Sequence, residues 1–317
     1  MTSLNIASAN AAAAITGEGL VGDPVPLWKQ AIGRLLRKRS GQVGLILIGT
    51  LVLIALFAPL IAPYHPNDVL IGVEQVKRRE APCVHILGCD IAKPQHIMGI
   101  DGNSRDFFSR VVYGSRVSLM IGLTTVTAAL VTGVLLGAIA GYFGGALDNI
   151  IMRIMDVILG FPSLLLAIAI VAVLGPGIVN ALLAISIVSV PAYARVTRAS
   201  VLSVKVLDFV AATRVLGGSK WRILFRRVLP NAITPIVVLA TLGIATAILD
   251  AAGLSFLGLG AQPPMPEWGT MLGDGRNQIF SAPHLVFFPG IAIMITVLGF
   301  NLLGDGLRDA LDPRLNT

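Results

Sequence analysis

The chain has 317 residues, 55% of them hydrophobic and 13% charged, with a mean hydropathy of +0.82. That is more apolar surface than one ordinary soluble core holds, so lipid is the place for the excess. The formal net charge of +7 would suit a nucleic-acid binder only as a basic face on a soluble domain. The excess Lys and Arg falls instead at 29–39 and 195–227, between apolar blocks, where it sets membrane orientation.

The apolar blocks are each about 20 residues long, the length a helix needs to cross hydrocarbon, and they lack the alternation of a transmembrane barrel. The sequence therefore predicts an all-α membrane protein with six transmembrane helices. Met1 to Val25 is Ala-rich, has no basic region and lies well before the first block, so it reads as part of a cytoplasmic tail over 1–42 and not as a cleaved signal. The first span is Val43 to Ala62, followed by an external segment over 63–104. A core over 105–304 holds Val117 to Tyr142, Val157 to Leu174, Ile178 to Ala194, Ala232 to Leu249 and Leu285 to Gly304. A cytoplasmic tail over 305–317 ends the chain. None of the six spans carries a formal charge, as expected where a charge at the bilayer centre costs about 2.5–3.5 kcal/mol.

Orientation follows from the loops. After the fourth span come Arg195, Arg198, Lys205, Arg214, Lys220, Arg222, Arg226 and Arg227 against the single acid Asp208, which argues for the cytoplasm. Counting back puts the N-terminus on the same side, in agreement with Arg34, Arg37, Lys38 and Arg39 before the first span. The segment from Pro63 to Arg116 fits this topology least well. It carries Lys77, Arg78, Arg79, Arg105, Arg110 and Arg116, partly offset by Glu74, Glu80, Asp90, Asp101 and Asp106. Arg105 to Arg116 is expected as an interfacial helix beside the bundle.

Cys83 and Cys89 lie in that segment, where an oxidising compartment permits a disulfide. Free thiols, or a metal site with His85 and His96, are the alternatives; the spacing matches no established ligand pattern.

The loop after the fourth span is the most informative stretch. Ser203 to Leu216 reads as a helix, Gly217 and Gly218 as the φ > 0 turn that ends it, and Ser219 as the cap of the next. From Lys220, the apolar residues Trp221, Leu224, Phe225 and Val228 fall on one face of a helix that lies along the membrane surface. Pro230 and Asn231 mark re-entry into the fifth span. An amphipathic connector meeting anionic lipid is the plain reading.

The same loop resembles the EAA loop of ABC importer permeases. Its pattern is Glu-Ala-Ala, a Gly four residues after the second Ala, and Leu-Pro twelve and thirteen residues after that Gly. Ala211, Ala212 and Thr213, then Gly217, then Leu229 and Pro230 hold those positions. Ala211 replaces the Glu, Thr213 the second Ala, and Arg227 a usual Ile. Other motifs are similar to the dipeptide and oligopeptide permeases of the C type: His96-Ile97-Met98-Gly99, Ser104-Arg105-Asp106, Phe161-Pro162, Leu254 to Gly258, Pro266-Glu267-Trp268-Gly269 and Gly304 to Asp309. The resemblance spans nearly everything from Trp28 to Leu315.

It implies the type I ABC importer permease fold and a non-catalytic subunit that pairs with a homologous B-type permease. It further implies two ABC ATPase subunits that bind the cytoplasmic loops of the pair, here the 195–231 loop, and an external peptide-binding protein that delivers di- or oligopeptides. ATP and Mg would be bound by the ATPase subunits and no cofactor by this chain, which has no Gly-x-x-x-x-Gly-Lys-Ser/Thr loop. An importer of nickel or another small solute is an alternative within the family. An ion-gradient-driven secondary transporter is the alternative outside it, and would be expected to carry charged or broken helices near the midplane.

Asp250, the one acid embedded between apolar stretches, is a candidate for the pore mouth, with a water-exposed interfacial residue as the plain reading. The resemblance more often has its acid at the position of Ala251. Asp148, Arg153 and Asp156 read as salt-bridged anchors at a helix end. Pro162, Pro191, Pro235 and Pro289 read as prolines inside spans.

Overall fold

The computed structural model of the chain describes residues 33–311; the N-terminal stretch with Lys29 and the last six residues of the C-terminal tail lie outside them. Among the described residues there is no strand, only isolated bridges such as Cys83 to His96 and Ile100 to Asp106. The helices are α1 Arg39–Leu56, α2 Phe107–Phe143, α3 Gly145–Leu159, α4 Ser163–Leu174, α5 Ile178–Val204, α6 Asp208–Val215, α7 Thr234–Phe256, α8 Trp268–Gly275 and α9 His284–Leu311, with shorter turns between them.

Five of these, α1, α2, α5, α7 and α9, are long and apolar enough to cross a membrane. The expected third span is not one helix. Pro162 has no N–H and restricts Phe161 before it, so α3 ends at Leu159, the chain bends by 91°, and α4 restarts at Ser163. With 12 residues, α4 rises about 18 Å, short of the roughly 30 Å hydrocarbon layer. The sixth crossing is thus a bent pair. Pro162 and Pro235 stand at helix starts, and only Pro191 and Pro289 lie inside helices.

The first span also differs: α1 ends at Leu56, and a short turn at Ala58–Ile61 with Pro59 in it completes the block. The largest boundary difference is in α2. The expected interfacial helix over Arg105 to Arg116 is no separate element, because Asp106 caps a helix that runs unbroken for 37 residues, its carboxylate accepting from the Ser109 N–H at 2.7 Å. At 1.5 Å per residue α2 is about 55 Å long, so it reaches well beyond the bilayer core.

α2 and α5 form the spine of the molecule, and glycines let them approach. Gly133, Gly137 and Gly141 stand four apart on one face of α2. A Cβ on Gly137 would sit 2.2 Å from the Ala194 carbonyl oxygen, and one on Gly133 2.6 Å from the Tyr193 Cβ. Small residues spaced in this way are how helices pack where no hydrophobic driving force separates them from lipid. The same device joins α1 to α9, where a Cβ on Gly44 would meet the backbone of Leu303 at 2.5 Å.

α2 and α5 run parallel, Gly133, Gly137 and Gly141 meeting Tyr193, Ala194 and Arg198 in turn, whereas α1 and α9 run antiparallel, Gly44 meeting Leu303 and Gly306 meeting Gly41, so the molecule has two ends. One carries the start of α1, the end of α2, and α6 with the run to Ala232; it is called the loop end below. The other carries residues 63–106, the start of α2, and α8.

The far end is closed by side chains buried in pairs. Trp268, 1% exposed, donates its indole N–H to the Val111 carbonyl at 3.0 Å. Glu267 caps α8, its two oxygens accepting from the N–H groups of Gly269 and Thr270 at 2.9 and 2.8 Å; burial pushes this carboxyl up, against the downward pull of those donors. Cys83 and Cys89 are joined as a disulfide with Cα atoms 5.4 Å apart. Among the described residues no group of three or more His, Cys, Asp or Glu is placed to hold a metal ion.

Candidate functional site

The loop end is built on an apolar anchor. Val210 of α6 and Ile223, Leu224 and Val228 are all at most 1% exposed, and they pack with Val201 of α5, Ala138 of α2 and Ala232. Burying four such side chains contributes about 1.5–3 kcal/mol each, enough to fix the loop as a body on the ends of α2 and α5. Polar ties add to it. Lys205 donates to the Gly141 carbonyl at 2.7 Å, and Arg198 reaches Asp148 with two hydrogen bonds of 2.6 and 2.7 Å. Arg195 pairs with Asp156. Asp148 and Asp156 are therefore salt-bridged anchors of α3 to α5, whereas Arg153 is exposed.

The turn has a different boundary from the one expected. α5 continues to Val204, and the first loop helix is only Asp208–Val215. It ends in a Schellman arrangement: the Gly218 N–H bonds to the Thr213 carbonyl at 3.1 Å, the Gly217 N–H to the Arg214 carbonyl at 3.0 Å, and Gly217 has φ of 79°. Only Gly217 holds the left-handed geometry. Gly218 is needed for room, since a Cβ there would lie 2.9 Å from the Thr213 carbonyl oxygen. Ser219 accepts from the Arg222 N–H at 3.4 Å and starts the return run. That run passes through a π turn at Leu224–Val228 before Pro230, which has no N–H to give, and Asn231 bonds the Arg227 carbonyl at 2.6 Å instead.

The apolar face of the return run also needs correction. Leu224 and Val228 are buried with Ile223, but Trp221 and Phe225 are exposed, stacked on each other at 5.9 Å between ring centres, with Trp221 also 5.0 Å from Phe143. What the loop presents outward is a small-residue and apolar surface. Ala211, Ala212 and Gly217 are exposed, Thr213, Gly218 and Leu229 are half-buried, and Pro230 is exposed. Val215 and Leu216, just before the left-handed glycine, are 87% and 85% exposed. Arg214, Lys220, Arg222, Arg226 and Arg227 surround them without an ion pair among the described residues. Sequence reasoning passed over Val215 and Leu216, although residues at the apex of a turn that doubles back must face outward.

Asp250 is placed apart from this site, near the far end of α7, half-buried and with no hydrogen bond or ion pair among the described residues. Sequence reasoning also missed a chain of partners at the far end. Tyr64 Oη donates to Glu74 at 2.7 Å, Glu74 meets His96 Nε2 at 3.2 Å, and His96 Nδ1 meets Asp106 at 2.8 Å. Burial pulls the His96 pKa down, but the hydrogen bonds and charges of Asp106 and Glu74 outweigh it, and the net shift is upward.

Residues 133–317 match the family described as binding-protein-dependent transport system inner membrane component, and residues 26–82 match the N-terminal TM domain of oligopeptide transport permease C. A dipeptide transport system permease protein, DppC, of Alkalihalophilus pseudofirmus is 49% identical over 92% of this chain and 91% of its own. The di/tripeptide transport system permease protein DppC of Pseudomonas aeruginosa is 47% identical over 92% and 93%. A glutathione transport system permease protein, GsiD, of Pectobacterium atrosepticum is 43% identical over 92% of both chains. Among solved structures, an inward-facing MetNI methionine ABC transporter aligns with a TM-score of 0.52 and 18% identity, over 65% of this chain and 97% of that one.

The fold is that of a type I ABC importer permease. The chain belongs to the family of binding-protein-dependent transport system inner membrane components, with the N-terminal domain of an oligopeptide permease C. It is a multi-pass membrane permease subunit, and its family implies ATPase subunits, a substrate-binding protein and a paired permease.

Proposed function

We propose that this chain is the C-type membrane-spanning subunit of an ATP-driven importer, translocating di- and oligopeptides delivered by an external solute-binding protein. The reading is carried by the loop end: an exposed surface of Ala211, Ala212, Val215, Leu216 and Gly217 seated on an apolar anchor, in a chain with relatives named for di- and tripeptide transport over 92% of its length. The solute class is short peptides, and the relatives named for glutathione fall within it.

In this reading two ATPase subunits serve the pore, one on the loop of this chain and one on that of a homologous B-type partner. ATP and Mg are held by the ATPases, and this chain has no catalytic role and binds no cofactor. The absence of the usual Glu, with Ala211 in its place, makes the docking rest on apolar and cationic contacts. Both termini and the 195–231 loop lie in the cytoplasm, and the 63–106 segment lies outside the inner membrane.

Closure of the ATPases pushes on α6. Because Val210, Ile223, Leu224 and Val228 fix the loop to α2 and α5, and the glycine face locks those two helices together, the push moves both as one body and rocks the permeases against each other. α2 carries that movement to the far end. Asp250, toward the far end of α7, is the residue this reading assigns to a peptide's amino group.

The test is uptake of labelled alanyl-alanine by vesicles that hold the reconstituted transporter. Accumulation that needs ATP and the binding protein supports the reading. Accumulation driven by a proton gradient without ATP would replace it with a secondary transporter.

A further inference from the structure

The far end contains a cavity of about 270 Å³ lined by Arg79, Asp101, Arg105, Arg110, Asp274 and the rim of α8 and α9, including Met271 and Leu285. Three guanidinium groups face two carboxylates there, an excess of one positive charge when both acids are ionised. The groups come from three separate parts of the chain, which is why the pattern is invisible along the sequence.

The cations are not used up by the acids. Asp101 takes the Arg105 Nε at 2.7 Å and the Arg110 Nε at 3.4 Å, and its other oxygen is occupied by the backbone N–H groups of Asn103 and Arg105 at 2.8 and 2.9 Å. Arg110 gives one further nitrogen to the carbonyls of Pro66 and Pro264 at 3.0 and 3.2 Å. A guanidinium has five N–H donors. Among the described residues, the two terminal nitrogens of Arg105 donate to nothing, although the residue is 6% exposed. Nor is either nitrogen sealed: among the described residues the sealed, partnerless side-chain polar atoms are Ser104 Oγ, Ser118 Oγ, Thr125 Oγ1 and Thr197 Oγ1. The free donors of Arg105 are therefore reached through the cavity.

The backbone around the cavity is held in costly geometry. Among the described residues, Arg79 and Ser104 are the two non-glycine residues with positive φ, 60° and 62°. One lines the cavity, and the other lies in the turn between Asp101 and Arg105. Such conformations persist where the surroundings enforce them and cluster at ligand sites. Asp274, on the opposite wall, has its carboxyl pushed up by burial against the pull of Arg110 and Arg105, which leaves the wall closer to positive.

We propose that this cavity is a binding site for a carboxylate, held by the terminal nitrogens of Arg105 with Arg79 closing over it. Planar guanidinium groups match a carboxylate in shape and charge. The volume admits the end of a molecule and not a long solute, so the ligand is a carboxylate tip: the C-terminus of a free peptide or the side chain of an acidic residue on a docked protein. The site stands whether or not the transported solute is a peptide.

Calorimetric titration of the full-length chain, assembled with its partner subunits in lipid nanodiscs, tests this with two probes. Alanyl-alanine presents a peptide C-terminus, and N-acetylglutamic acid α-amide, whose one free carboxylate is that of the side chain, presents an acidic side chain. Binding of either, at least about tenfold weaker in Arg105→Gln and in Arg79→Gln, supports the site, and the tighter probe identifies the source. Arg79 is exposed, so its variant keeps the test open even if Arg105→Gln fails to fold. Absence of heat with both probes, or binding unchanged in Arg79→Gln, overturns the proposal.

Discussion

The two ends of the molecule solve opposite problems. At the loop end the buried groups are apolar, Val210, Ile223, Leu224 and Val228, and the cations stay outside. At the far end the buried groups are charged, Asp101, Arg105, Asp106, Arg110 and His96, and the segment that holds them is further tied by a disulfide. An apolar seat holds a body firmly while leaving its outer surface free for a partner. A charge network fixes geometry through direction, and fails sharply when one member is lost.

The largest effect should follow from breaking that network. Asp101→Ala leaves Arg105 and Arg110 buried without their shared carboxylate, and loss of one partner of a buried pair costs about 3–5 kcal/mol. Thermal unfolding in detergent should fall steeply, with proteolysis appearing first between 63 and 106. At the loop end, Leu224→Ala should cost about 2–5 kcal/mol by leaving a cavity. Protease cleavage there should concentrate between 205 and 232 while the far end stays protected. If both variants loosened the whole chain alike, the two ends would not be separate bodies.

Smaller effects sharpen the contrast. Gly137→Leu forces a side chain against the Ala194 backbone and should cost about 1–3 kcal/mol or more, seen as lost uptake with both ends still protected. His96 gives a pH signature to the far end alone. Its folded pKa lies above the ordinary 6.5, so its contribution is fully present below that value and fades as pH rises through the raised folded pKa. Hydrogen exchange in residues 63–106 should therefore speed up on moving from pH 6 toward alkaline conditions by more than in the loop, and His96→Gln should remove the difference. The smallest effect is Gly217→Ala. Nothing lies within 4 Å of an added Cβ, so only the left-handed backbone resists it, at about 1 kcal/mol.

Much of the fold is legible in the sequence because charge-free blocks and basic loops follow from the cost of charge in hydrocarbon. The block at Val157 to Leu174 misleads, since composition alone does not say that Gly160-Phe161-Pro162 bends the chain by 91°. The start of α2 is misread for a related reason: Arg105, Arg110 and Arg116 look like a polar boundary, and only the folded chain shows Asp101 taking up two of those charges. In the loop, the spacing around Gly217 is readable because a Schellman turn has a fixed residue count. Which apolar residues of 220–232 face inward is not readable, because Trp221, Leu224, Phe225 and Val228 share one helical face by spacing, yet Ile223, Leu224 and Val228 are the ones buried, in a run that passes through a π turn at Leu224–Val228. The carboxylate cavity has no linear signature, since its walls are set by contacts across nearly 200 positions.

The central claim is that the loop surface is where the ATPase subunits dock. Leu216 is 85% exposed and supports nothing inside the chain, so Leu216→Asp should leave unfolding unchanged. Affinity purification of this chain from membranes that co-express its ATPase subunits should recover far less ATPase with Leu216→Asp than with the unaltered chain. Equal recovery of ATPase by the two chains would contradict the account.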